Sequence, residues 1–122
     1  SILQMALGRV GGIMEAKKIA GMAETYYAQI APHLYAGPVE GAANIHFAAS
    51  LPNFLILESI EQWGGFHTQI LKKPIQWENG YVIPPTEPGL GIELNEEVAE
   101  AHPYTGDRLH LEMTNTPLRK GQ

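Results

Sequence analysis

The chain has 122 residues, 44% of them hydrophobic and 17% charged, proportions that fit one soluble globular domain with a modest core. A formal net charge of -5 with eight Lys and Arg argues against a nucleic-acid surface, which needs clustered cations. The lack of cysteine excludes disulfides, thiolate metal sites and a cysteine nucleophile and fits a reducing cytoplasm, while no apolar run approaches the roughly 18 residues that span a bilayer.

Taken in chain order, the first residues carry no basic segment of the signal-peptide kind, and the missing initiator Met raises the expectation that this is the tail of something longer. Residues 2–5 are a short apolar run that reads as a strand, and Leu7-Gly-Arg-Val-Gly-Gly12 reads as a glycine-rich turn. Over residues 13–27, Ile13, Ala16, Ile19, Ala20, Ala23 and Tyr27 recur at three- and four-residue steps, the period of an amphipathic helix. Residues 29–32 form a second apolar run, ending on His33, and Gly37-Pro38 punctuates the loop after it. Residues 39–50 are alanine-rich and read as a helix with a small-residue face, stopped by Leu51-Pro-Asn53. A third strand over 54–57 ends on Glu58. Beyond it, Trp63-Gly-Gly-Phe66 is a glycine-aromatic loop, and residues 74–77 and 81–83 flank Asn79-Gly80, a strong hairpin-turn signal. Pro84, Pro85, Pro88, Gly89 and Gly91 mark an extended segment. One or two helical turns over 96–101 follow an Asn95 cap and close at Pro103, and from Tyr104 onward no periodicity remains.

Strand, helix, strand, helix, strand with long crossovers implies parallel strands in right-handed units. In such folds chemistry gathers where strands end, so His33 and Glu58 suggest one shared site. Three parallel strands with two helices cannot cover both sheet faces and both edges, which points to a remainder outside this chain. The other candidates have blander readings. His46 reads as a packed or surface helix histidine. His67, His102 and His110 lack metal-ligand spacing. Trp63 and Phe66 suit a substrate mouth or a covering loop equally well. Arg9, Lys17 and Lys18 read as solvated charges, and residues 8–12 lack the third glycine of a dinucleotide fingerprint and the lysine of a P-loop.

The run Gly8-Arg-Val-Gly-Gly-Ile-Met-Glu-Ala-Lys-Lys-Ile-Ala20, then Ile30-Ala-Pro-His33, Gly37-Pro38, Asn53-Phe-Leu-Ile-Leu-Glu58 and Pro88-Gly-Leu-Gly91, resembles the C-terminal third of the enolase superfamily. More narrowly it is similar to the mandelate racemase subgroup and its acid-sugar dehydratases of the galactonate and mannonate kind. The resemblance implies an α/β chain forming the C-terminal part of a TIM-type (β/α) barrel, with three parallel strands and two helices over 1–72. A hairpin and return segment over 73–122 would then pack on a capping domain. It implies that His33 is the general acid or base at the end of the seventh strand. Glu58, at the end of the eighth, would hydrogen-bond the substrate carboxylate as enediolate charge develops, which requires a proton on Glu58 or shared with it. Trp63 is a weaker candidate for substrate contact. The cofactor implied is Mg²⁺, held by carboxylates on strands not in this chain, and the partners implied are an acid sugar, the remaining barrel with its capping domain, and a second copy in a homo-oligomer.

One departure from the pattern stands out. In the subgroup the sixth strand ends in Gln-Pro-Asp, and the aspartate orients the histidine; here the sequence is Gln4-Met5-Ala6, so the usual dyad is broken. Two function classes follow. One is the C-terminal portion of a Mg²⁺-dependent lyase that removes the proton α to a carboxylate and dehydrates a sugar acid. The other is a non-catalytic, truncated or degenerate barrel piece that folds only with a partner.

Overall fold

Small side chains set how the helices lie. Helix α2 (Ile13–Thr25) turns Ala16, Ala20 and Ala23 inward, and α3 (Pro38–Ala49) buries Ala42, Ile45, Phe47 and Ala48. The computed structural model describes residues 1–59 and 65–105. Within it, α2 and α3 pack on each other and on a short α1 (Leu7–Val10), and α2 lies against β2 (Gln29–Ile30). Met5, Leu7, Ala28, Ile30, Phe47 and Leu51 complete the core around the α2 alanines. Alanine at these contacts loses no side-chain rotamer freedom on burial and lets backbones approach closely.

Strand β1 (Ile2–Leu3) pairs in parallel with β2, Ile2 opposite Gln29 and Leu3 opposite Ile30, and the same register continues to a bridge between Ala6 and His33. The third apolar run joins on the other side of β2 through a parallel bridge between Ile30 and Phe54, with Ile30 N donating to Asn53 O (2.9 Å) and Leu55 N to Ile30 O (2.9 Å). The three segments therefore lie side by side in chain order, as βαβ crossovers require.

Several elements differ from the sequence reading. Residues 54–57 contribute the bridge at Phe54 rather than a regular strand, and β1 and β2 are two residues each. The glycine-rich stretch after β1 holds α1, a single helical turn closed by Gly11 at φ 104°, with Gly12 N donating to Leu7 O (2.8 Å). It forms because Leu7 is buried in the core and Gly11 takes the left-handed conformation that ends a turn without steric cost. Helix α2 stops at Thr25, which leaves Tyr27 exposed with positive φ instead of on the apolar face, and Ile13 is exposed as well. Lys17 is more than a solvated charge: its Nζ donates to Ser50 O (2.6 Å) and Ser50 Oγ (3.2 Å), joining α2 to the end of α3. Lys18 pairs with Glu15 on the surface.

Beyond the parallel segments, β3 (Gln76–Glu78) and β4 (Tyr81–Ile83) form the antiparallel hairpin that Asn79-Gly80 signals, both turn residues at positive φ. Helix α4 (Glu96–Ala101) follows Asn95, whose side chain makes no capping bond; the Asn95 N–H instead donates to Ile70 O (2.8 Å). That bond extends an antiparallel contact in which Leu71 faces Leu94 and Lys72 N donates to Glu93 O. Lys72 and Glu93 also form an exposed ion pair, and the Glu93 carboxylate, through its hydrogen bond and its charge, raises the Lys72 ammonium above the ordinary lysine value. The stability this pair adds is thus present below about pH 10.5 and fades as pH rises through the raised value. The expected irregular tail from Tyr104 lies mostly outside the described residues.

Asn53 is the knot of the core's lower end. Its Nδ2 donates to Ala20 O in α2 (3.1 Å) and to Ala28 O before β2 (3.0 Å), while its carbonyl accepts from Ile30. Asn53→Ala removes the donor to Ala20 O and to Ala28 O and is expected to lower unfolding free energy by about 2 kcal/mol, measured by urea titration. The sheet also exposes Ile2, Leu3, Phe54, Leu55 and Ile56, an apolar surface on both sides of β2. The isolated chain is therefore expected to self-associate in light scattering, and a monodisperse monomer with a cooperative melt would contradict this.

Candidate active site

The parallel register delivers three polar side chains to one end of the sheet. Because Ala6 bridges His33, and His33 N donates to Met5 O (2.9 Å), the histidine leaves the sheet beside the last residues of the first segment. Carried onward, the Ile30–Phe54 pairing sets Leu34 beside Glu58. The Glu58 carboxylate lies at this junction. Its Oε2 bonds His33 Nδ1, accepts from Gln4 Nε2 (3.0 Å) and accepts from the Leu34 backbone N–H (3.2 Å). The His33 and Glu58 side chains keep 32% and 43% of their surface exposed, so the pair is fixed yet reachable by a ligand.

Gln4 is the site residue that sequence reasoning passes over. The available signal is the two-residue period of a strand, which puts Gln4 on the same face as Ala6, the position opposite His33. Ala6 contributes a methyl group there. It is also the N-cap of α1, where it makes no side-chain capping bond, and Glu40 of α3 fills that role by accepting from Gly8 N (3.3 Å). A Cβ on Gly8 would stand 2.9 Å from Glu40 Oε2, so glycine is what lets this carboxylate approach.

The remaining histidines are elsewhere. His46 of α3 bonds Leu90 O through Nε2 (3.0 Å), which requires the proton on Nε2 and ties the helix to the Pro-Gly-Leu-Gly segment. In that segment Gly91 has φ 66°, and a Cβ there would meet Pro85 Cβ at 2.3 Å. His102 bonds Val98 O (2.9 Å) and stacks on Phe66 at 4.4 Å with ring planes 8° apart, and the His67 ring lies 4.1 Å from the same Phe66 ring, tilted by 32°. Phe66 thus packs between histidines, and Trp63 and His110 fall outside the described residues. An apolar cavity of about 630 Å³ lies between α3, residues 54–57 and the hairpin, and neither His33 nor Glu58 lines it. Among the described residues no group of three or more His, Asp or Glu side chains could hold a metal ion, so they do not by themselves make a Mg²⁺ site.

An imidazole and a carboxylate fixed at the ends of adjacent parallel segments can move a proton to or from a bound molecule. Comparison with known proteins gives the family of the chain. The model of the enolase C-terminal domain-like family matches residues 1–98. The chain belongs to that family. Within it, the chain corresponds to the C-terminal part of the mandelate racemase/muconate lactonizing enzyme subgroup. A crystal structure of a mandelate racemase/muconate lactonizing enzyme from a Sulfitobacter species is 65% identical and superimposes with a TM-score of 0.80, covering 95% of this chain and 29% of its own. A D-xylonate dehydratase from Haloferax volcanii is 35% identical over 88% of this chain and 26% of its own length, and a D-galactonate dehydratase from Ralstonia nicotianae is 39% identical over 79% and 27%. The chain therefore spans a little over a quarter of these relatives. The enolase C-terminal domain is a portion of a TIM-type barrel, in agreement with the α/β reading and the parallel segments.

In this family setting the contact from His46 has a definite consequence. His46→Ala removes the donor to Leu90 O and is expected to cost about 1 kcal/mol of stability. Hydrogen exchange read by mass spectrometry should quicken over residues 88–91 while the parallel segments keep their protection.

Proposed function

We propose that this chain supplies the acid/base side of an enolase-superfamily active site that removes the proton α to a carboxylate and dehydrates a sugar acid. The observation that carries the reading is the meeting of His33, Glu58 and Gln4 at the ends of neighbouring parallel segments. Relatives named as D-xylonate and D-galactonate dehydratases support the substrate class. In this reading His33 exchanges a proton with the substrate, since imidazole takes up and returns protons near neutral pH. Glu58, through the oxygen not bonded to His33, faces the developing enediolate.

Dehydration then balances: a base takes the α proton and the C–H electron pair forms the enediolate. The enediolate collapses to a C=C bond as the β hydroxyl leaves as water on receiving a proton, and the resulting enol tautomerises to the 2-keto acid. A carbon acid next to a carboxylate is too weak for this without cationic help, and Mg²⁺ is the group that supplies such help in the superfamily. Its ligands lie outside the described residues, so the working protein in this reading includes the remaining barrel and a capping domain. The alternative, a barrel piece without chemistry, rests on Ala6 in the dyad position and on metal-ligand strands that are not in this chain.

The test is a screen of the chain joined to the rest of its barrel against acid sugars, xylonate and galactonate included, with Mg²⁺. The expected result is a 2-keto acid product, with His33→Asn lowering turnover by at least about a thousandfold while the fold is kept. No product from any acid sugar, or full activity in His33→Asn, would sink the reading.

A further inference from the structure

We propose that Glu58 is the positioning residue for His33, taking the part that an aspartate at position 6 would otherwise play, and that Gln4 holds Glu58 in that role. The inference rests on the reading of His33 as the acid/base group and extends it to the question of which carboxylate orients that group.

The argument starts from the three bonds on Glu58 Oε2. Two of the donors are unambiguous: the Leu34 backbone N–H and the Gln4 side-chain amide. An oxygen that receives two N–H groups is acting as an acceptor, since a hydroxyl at that atom would crowd its own proton against theirs. The third partner, His33 Nδ1, must then be a donor as well. The proton on Nδ1 fixes the tautomer and leaves Nε2 as the nitrogen that receives or delivers a proton. In His–carboxylate pairs this orienting bond is what keeps the ring turned and the correct nitrogen free.

Position 6 cannot supply that bond. Ala6 stands directly across from His33 in the parallel bridge, and its side chain is a methyl group. The three bonds on Glu58 link the third segment to the other two: Gln4 belongs to the first, and His33 and Leu34 to the second. The carboxylate is thereby held at the end of the parallel segments by its bonds to the first two. Gln4 suits the task because an amide donates to the carboxylate without carrying a charge that would compete for it. All three bonds end on Oε2, and Oε1 takes no part in them. With a proton on Oε1, one side chain can thus orient His33 through Oε2 and still donate to a ligand.

The experiment reads tautomers directly. Long-range ¹H–¹⁵N spectra of the chain joined to the rest of its barrel, ¹⁵N-labelled at histidine and recorded at a pH where the imidazole is neutral, are expected to show His33 with Nδ1 protonated and Nε2 bare. In Glu58→Ala the proton should move to Nε2, and in the double variant Ala6→Asp with Glu58→Ala it should return to Nδ1. A wild-type His33 protonated on Nε2 overturns the proposal without any variant. A proton that stays on Nδ1 in Glu58→Ala, or fails to return in the double variant, also overturns it. None of these spectra involves a sugar or a metal, so a failure here is separate from a failure of the dehydration assay.

Discussion

Everything at the candidate site depends on one hydrogen-bond register. Three chain segments lie parallel, and the pairs Ile2–Gln29, Leu3–Ile30 and Ala6–His33 keep a single alignment along the first two. A slip of one residue would turn His33 to the opposite face of the sheet, away from Gln4 and Glu58. The alignment is pinned at the far end by Asn53, whose amide reaches α2 and the approach to β2 while its carbonyl joins the third segment to Ile30. A residue with no part in the chemistry thereby sets where the chemistry can occur.

The legibility of the sequence follows the range of the forces involved. Helix α2 is readable because its stabilising face repeats at the helical period within thirteen residues, and the hairpin is readable because Asn79-Gly80 encodes its own turn. Helix α1 is not, since a four-residue turn containing Gly8 and followed by Gly11 and Gly12 has no local pattern; what holds it is Leu7 in the core and the Glu40 carboxylate, thirty-two positions away. The third apolar run is extended but bonds one neighbour near Phe54, so hydrophobicity alone overstated its strand character.

The site divides in the same way. His33 and Glu58 are legible because ionisable residues end apolar runs, and the family resemblance gives them a place in a barrel. Their mutual contact, the tether from Gln4 and the amide of Leu34 belong to tertiary geometry that no spacing announces. Ala6 is legible as a departure from the family pattern, but what stands in for the lost carboxylate is visible only once the three segments are aligned.

The alanines packed between the helices and the strands also govern how such a chain can change over time. Ala16, Ala20, Ala23 and Ala42 sit at contacts with almost no exposed surface, where even one added methylene strains the packing. Those four positions are confined to the smallest residues. Novelty is left to the opposite end, where Gln4, His33 and Glu58 stand partly open to solvent and where a residue as telling as the one at position 6 can be exchanged while the frame stays intact. The tight side acts as a ratchet on shape, and it directs drift toward chemistry.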